Sequence, residues 1–181
     1  MEIISTAFRG LFIIDTIPYK DVRGEFIKPF SKSAFELHGL KCDFLESFYS
    51  ISKRGVIRGM HFQIPPKEHA KLVYVSSGSI IDVVLDLRRD SATYKRFFHI
   101  HLYNRYAIYI PEGFAHGFLS LRDDTIVHYM QTSQYDKKCD CGIRYDSFGF
   151  DWEGVAKEHN IDGFIISNRD LSFDSVIEGY F

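Results

Sequence analysis

Cysteine is scarce: Cys42, Cys139 and Cys141 are an odd set without framework spacing, which excludes a disulfide-stapled scaffold. Free thiols in a reducing cytoplasm fit them better. Excess charge is absent too, since 22 Lys and Arg against 24 Asp and Glu leave a net charge of -2. That balance gives no electrostatic case for nucleic acid or a membrane surface as partner. Apolar stretches such as Gly10–Ile14 fall far short of the ~20 residues that a bilayer-spanning helix needs. Met1–Thr6 lacks the basic start and apolar run of a signal peptide, so a cytoplasmic location is expected. There is no low-complexity linker and no repeat of fixed period. The 181 residues are therefore expected to form one domain around one sizeable core.

What the chain does have is β-forming. Hydrophobic residues make up 45% and aromatics 16%, which disfavours disorder and favours strands. Strand patterns follow one another over Phe44–Ser50, Gly55–Phe62, Leu72–Ser76, Ile80–Leu87, Arg96–Tyr103, Tyr106–Ile110, Gly117–Leu121 and Thr125–Gln131. Turn residues at Ser77-Gly78, Arg89–Ser91 and Arg122–Asp124 separate them. Such spacing predicts a sandwich or jelly-roll barrel rather than βαβ units. A barrel of this kind encloses a cavity suited to a small ligand. Gly24–Pro29 reads as an earlier strand. A short helix follows, capped by Ser31 or Ser33 and stopped by Gly39. Beyond Gly142 the pattern is irregular, with a helix expected around Glu153–His159. Cys139-Asp140-Cys141 reads as loop, because two thiolates with no second pair are a poor metal signal.

The chemistry concentrates in two segments, Arg58–Lys71 and Pro111–Phe118, each setting a histidine beside glycine and proline. On a strand, His61 and Gln63 share one face. His116 follows the rigid Pro111-Glu112-Gly113. A lone strand histidine is ordinarily a core or surface residue. Two of them in a barrel whose interior otherwise prefers apolar filling point to function. Two chemistries compete. A metal would use His61, Gln63, Glu68 or His69, and His116, a set suited to iron, manganese or zinc, but the Gln63 amide is a poor ligand. Proton transfer would need only His61 as general base, a partner to orient it and a donor across the cavity. The second is the better reading.

Motifs along nearly the whole chain resemble the dTDP-4-dehydrorhamnose 3,5-epimerase family. They run, in order, through Asp21–Phe26, Arg58–Gln63, Lys71–Val75, Asp82–Arg88, Asp90-Ser91, Ile110–Phe118, Tyr129, Thr132, Tyr135, Gly142–Arg144, Asp151-Trp152 and Ile166–Asp170. The resemblance implies an all-β, cupin-type jelly-roll barrel with short peripheral helices, spanning residues 1–181 as a single domain. It also implies a homodimer with exchanged N-terminal strands, no metal or other cofactor, and a nucleotide-diphospho-4-keto-6-deoxy sugar as substrate. On the matching positions, His61 is the base, Asp170 the carboxylate that orients it, Tyr129 the acid on the far side and Lys71 the donor to the keto oxygen. Arg23 reaches the diphosphate from the partner subunit, and Arg58 faces phosphate or the cavity. Phe26, Glu46, Gln63, His116, Tyr135 and Arg144 complete the expected substrate contacts. His99 and His101 lie outside the motifs and are read as dimer or surface residues.

The chain departs from the family pattern in two stretches, one of them after Asp151-Trp152, where Glu153-Gly154 replaces the usual proline. In the other, where the family carries Gln-x-Asn-His-Ser, this chain has Glu46-Ser-Phe-Tyr-Ser50. That puts the dTDP nucleotide and the hexose in doubt, leaving a GDP- or CDP-linked sugar, a heptose, or inversion at one carbon open. The alternatives are a metal-dependent cupin isomerase or oxygenase, a 3,4-ketoisomerase, and a sugar-binding cupin without turnover.

Overall fold

In the computed structural model, which describes residues 1–175, two antiparallel sheets lie face to face. The first has the order β1 (Glu2–Ser5), β2 (Phe12–Asp15), β10 (Tyr106–Ile110), β7 (Lys71–Ser77), β12 (Thr125–Gln131), β5 (Glu46–Ser52). The second has the order β13 (Asp140–Gly142), β6 (Ile57–Gln63), β11 (Phe114–Ser120), β8 (Ile80–Asp86), β9 (Phe97–Leu102). The strand hairpin β3 (Tyr19–Asp21) and β4 (Gly24–Phe26) forms its own small sheet. This is the expected all-β jelly roll.

Period-two alternation builds the inner core. In β12 the residues alternate between buried and half-buried, with Val127 and Tyr129 turned inward. They meet Val84 and Phe118 from the opposite sheet, together with Val73, Val75 and Ile108. β8 and β11 are buried along their whole length, because the C-terminal segment covers the outer face of the second sheet. Ile143, Phe150, Trp152 and Ile161 pack there against Met60, Val83 and Leu85. On the first sheet's outer face, α1 (Lys32–Leu37) lays Phe35 against Leu72 and Tyr109. Phe35 is fully buried, and withdrawing a ring of that size from water stabilises by roughly 1.5–3 kcal/mol.

Several boundaries differ from the sequence reading. The early strand stops at Phe26 and does not continue to Pro29. β11 begins at Phe114, upstream of Gly117. Gly117 is therefore a mid-strand residue, needed because Gly59 of the neighbouring strand crosses it at a register shift. The segment around Cys139 and Cys141 is also not simply loop, since Asp140–Gly142 pairs with β6 as an edge strand. The expected C-terminal helix exists as α2 (Trp152–Glu158), and Asp151 caps it by accepting from the Gly154 amide. A second short helix, α3 (Asn168–Leu171), was not anticipated. His99 and His101 lie exposed on edge strand β9, as expected.

Gly59 has φ +120, and a Cβ there would stand 2.6 Å from Gly117 Cα and 2.7 Å from the His116 carbonyl oxygen. Both obstacles are backbone and cannot rotate away. Gly59→Ala is therefore expected to destabilise the fold by at least ~2 kcal/mol, read as a lower denaturant midpoint. A midpoint equal to that of the unaltered protein would contradict this packing.

Candidate active site

The two sheets part at one end to leave a cavity of about 440 Å³. Its first wall is set by register across β5, β12 and β7. Glu46, Gln131 and Lys71 form one row of opposed residues, and Phe48, Tyr129 and Val73 form the next. The second wall comes from β6 and β11, where His61 and His116 are direct partners. An imidazole pair thus faces a phenol and an ammonium across the gap between the sheets.

His61 is held from behind. Its Nε2 lies 2.9 Å from Oδ1 of Asp170. Oδ2 of the same carboxylate accepts the Gly59 N–H at 3.1 Å. The register shift beside Gly59 takes that amide out of the strand ladder and aims it at Asp170. The carboxylate reaches this position because the C-terminal segment is clipped along β6, with the Ile165 carbonyl accepting from Ile57 at 3.1 Å. α3 then turns Asp170 inward, and Ser167 caps its N-terminus by accepting the Asp170 N–H at 3.1 Å. Asp170 is only 4% exposed. Burial acts to raise its pKa, but the bonds to His61 and Gly59 outweigh that and hold it below the ordinary carboxylate value. An ionised Asp170 accepts Nε2–H from His61, which leaves Nδ1 with the lone pair that a base needs. The ring of Phe173 meets His61 edge to face at 5.6 Å, packed over Gly142.

Tyr129 stands on the opposite wall, buried and stacked against Phe48. Burial pushes its phenol above the ordinary value, so it stays protonated at neutral pH and can serve as an acid. Lys71 is buried nearby. Withdrawal from water lowers its pKa to about 8, with Asp82 and Asp140 opposing the shift. His116 donates to Oδ2 of Asp82 at 2.7 Å, and burial lowers its pKa against that carboxylate's pull.

Of the residues expected from sequence, His61, Tyr129, Lys71, Glu46, Arg58, Gln63, His116 and Tyr135 line the cavity, and Asp170 stands behind His61. Gln63 differs from expectation in role. Its amide donates to the Lys67 carbonyl at 2.7 Å and accepts the Asp136 N–H at 2.7 Å, so it ties two loops together. Arg144 lies outside the cavity, paired with Asp146 at 2.5 Å on the surface. Arg23 and Phe26 sit on the exposed β3–β4 hairpin, where Arg23 pairs with Asp21.

Sequence reasoning missed a polar cluster at the cavity wall. Arg169 pairs with Asp140 at 2.5 Å, and Tyr135 donates to the same carboxylate at 3.1 Å. Arg169 adjoins Asp170 in sequence, so that proximity was the available signal. Asp140 lay hidden in the segment read as loop. His69 also lines the cavity, and burial drives its pKa down to about 3, so it is neutral. Among the described residues, no three His, Cys, Asp or Glu side chains converge as a metal ion would require. The two histidines that a metal would need are each bonded to a separate carboxylate.

Such a site belongs to an enzyme that moves protons on and off carbon from opposite sides, built on a cupin-type jelly roll. The chain is a member of the dTDP-4-dehydrorhamnose 3,5-epimerase family, whose model matches residues 5–178. The dTDP-4-dehydrorhamnose 3,5-epimerase of Methanothermobacter thermautotrophicus is 41% identical over 179 residues, covering 97% of this chain and 94% of that protein. The crystal structure of the Bacillus anthracis enzyme, with TDP and PPi bound, superimposes with a TM-score of 0.89 at 32% identity. It covers 97% of this chain and 99% of that one. The Legionella pneumophila enzyme in complex with dTDP-4-keto-L-rhamnose gives a TM-score of 0.86 at 30% identity, covering 96% of this chain and 92% of that one.

The Lys71 environment sets a pH dependence. Its ammonium is the form that can stabilise an oxyanion, and that form is lost as pH rises through about 8. Activity is therefore expected to fall on the alkaline side of about 8. Lys71→Met should remove that limb and lower kcat by ~10²–10³-fold. A kcat in Lys71→Met within a few fold of the unaltered enzyme would exclude Lys71 from the reaction. Stability runs the other way. The unfolded lysine binds more protons than the folded one between about 8 and 10.5, so the destabilisation from burying this ammonium is progressively relieved as pH rises across that window.

Proposed function

We propose that this protein inverts C3 and C5 of a dTDP-linked 4-keto-6-deoxy sugar, in the synthesis of sugar precursors for surface polysaccharide. The observation that carries the reading is the opposition of the Asp170-held His61 imidazole and the protonated Tyr129 phenol on facing sheets. A C4 ketone acidifies the hydrogens on C3 and C5, because the electron pair left on carbon spreads onto the ketone oxygen. An epimerase must take a proton from one face and return one to the other, which calls for a base and an acid on opposite walls.

His61 Nδ1 takes the proton, and the buried Asp170 carboxylate stabilises the resulting imidazolium. Lys71, on the same wall as Tyr129, stabilises the enolate oxygen. Tyr129 returns a proton from the far side. Arg58 and Arg169 supply guanidinium groups at the cavity for the diphosphate, a ligand their planar donors suit. The bound TDP of the Bacillus anthracis enzyme and the bound keto-rhamnose of the Legionella pneumophila enzyme support dTDP and a hexose.

The working form is a homodimer. β1 pairs with β2 of its own chain, so the element free to cross to a partner is the β3–β4 hairpin, with its exposed Tyr19, Val22 and Phe26. Arg23 would reach the neighbouring cavity from there. Exposed Tyr49 and Ile51, beside the stacked Tyr74 and His128, give the first sheet an apolar outer face for the second copy. Among the described residues no helix is long and apolar enough to cross a membrane. The three cysteines are free, which suits the cytoplasm.

In deuterium oxide, the enzyme should exchange solvent label into C3 and C5 of dTDP-4-keto-6-deoxyglucose, followed by NMR. His61→Asn should abolish exchange, a loss of at least ~10³-fold, whereas Tyr129→Phe should slow completed inversion more than proton removal. Absence of exchange with any dTDP-, GDP- or CDP-linked keto sugar would overturn the reading.

A further inference from the structure

Tyr129 can decide the stereochemistry only if its proton reaches the enolate before one from water does. The edge of the first sheet bears on that. β5 is the last strand of this sheet, so beyond Tyr129 a single residue stands before the open edge. That residue is Phe48, the direct register partner of Tyr129. The two rings lie nearly parallel, 16° apart, with centroids at 4.9 Å. Phe48 is 45% exposed while Tyr129 is 8% exposed, so the outer ring takes the solvent contact that the phenol avoids. From the second sheet, the His116 ring meets Tyr129 at 6.1 Å in an edge-to-face arrangement. His116 is itself fixed by its bond to Asp82. The phenol thus sits between a stacking ring on its solvent side and an imidazole on its cavity side.

We propose that Phe48 is a positioning residue for proton return, one that fixes the plane of the Tyr129 phenol and bars water at the sheet edge. The inference rests on the epimerase reading above and concerns only its second half. In the first half the C–H bond breaks, its proton goes to His61 Nδ1 and the electron pair passes into the enolate. In the second half the Tyr129 O–H bond breaks, its proton bonds to carbon, the ketone re-forms and the tyrosinate recovers a proton from solvent. Without Phe48 the phenol loses its alignment, and the carbanion is protonated again by His61, whose ring proton has by then exchanged with solvent deuterium. Deuterium then enters with the original configuration kept.

The test is an NMR measurement in deuterium oxide on dTDP-4-keto-6-deoxyglucose. At early times it scores inverted product against deuterated sugar of unchanged configuration. Phe48→Ala and Phe48→Leu should lower the ratio of inversion to retention by at least tenfold, and Phe48→Tyr should restore it. Each ratio is internal to one sample, so a partly unfolded variant reports the same value as a folded one. An unaltered ratio in Phe48→Ala and Phe48→Leu, with the unaltered enzyme active, would overturn the role of Phe48 alone. No exchange even in the unaltered enzyme would overturn the epimerase reading and this inference with it.

Discussion

Asp170 carries a carboxylate almost wholly withdrawn from water, and burial by itself would push it towards the neutral acid. It stays ionised because two donors are aimed at it, one the His61 ring and the other the Gly59 amide. The amide is available only because β6 and β11 slip register where two glycines cross. The ring is oriented only because the carboxylate is there. Removing either donor would leave a buried charge under-satisfied, which costs more than an ordinary hydrogen bond returns. Backbone irregularity, C-terminal clip and the His61 imidazole are therefore one structural unit.

The jelly roll supplies the other half of the chemistry by separating two walls. A base and an acid on one strand would exchange protons with each other. On β6 and β12 of facing sheets, His61 and Tyr129 meet only through what lies between them. The electrostatics divide in the same way. Burial keeps the phenol protonated and weakens the Lys71 ammonium, while the hydrogen bonds to Asp170 keep that carboxylate charged. Groups with opposite tendencies in one cavity are what general acid–base chemistry near neutral pH requires.

Much of this was legible in the chain. The regular spacing of strand patterns between turn residues announced two packed sheets, and Tyr106–Ile110 and Thr125–Gln131 were bounded correctly. His61, Lys71, Tyr129 and Asp170 were marked by the family resemblance, while periodicity alone pointed only to His61 and His116. What escaped depends on long-range pairing. β13 is a three-residue strand made by its partner β6, and Cys-Asp-Cys has no strand signature of its own. α3 spans four residues and is held by Ser167 and by the clip at Ile165, neither of which is visible as a helical period. Arg169 and Asp140 are far apart in sequence and meet only when that segment folds over β13. Arg144 was assigned to the ligand on motif position alone and instead pairs locally with Asp146. Gln63 was placed in the cavity correctly, but two backbone segments already occupy its amide.

Epimerisation by this site requires a sugar ring between the two walls, with its reacting carbon in line with base and acid. The most direct check is a crystal structure with a dTDP-6-deoxyhexose that lacks the C4 ketone and so cannot react. C3 or C5 is expected to lie between His61 Nδ1 and the Tyr129 hydroxyl, with C4 turned towards Lys71 Nζ. A sugar bound outside the cavity, or one with both groups on the same face of its ring, would contradict this placement.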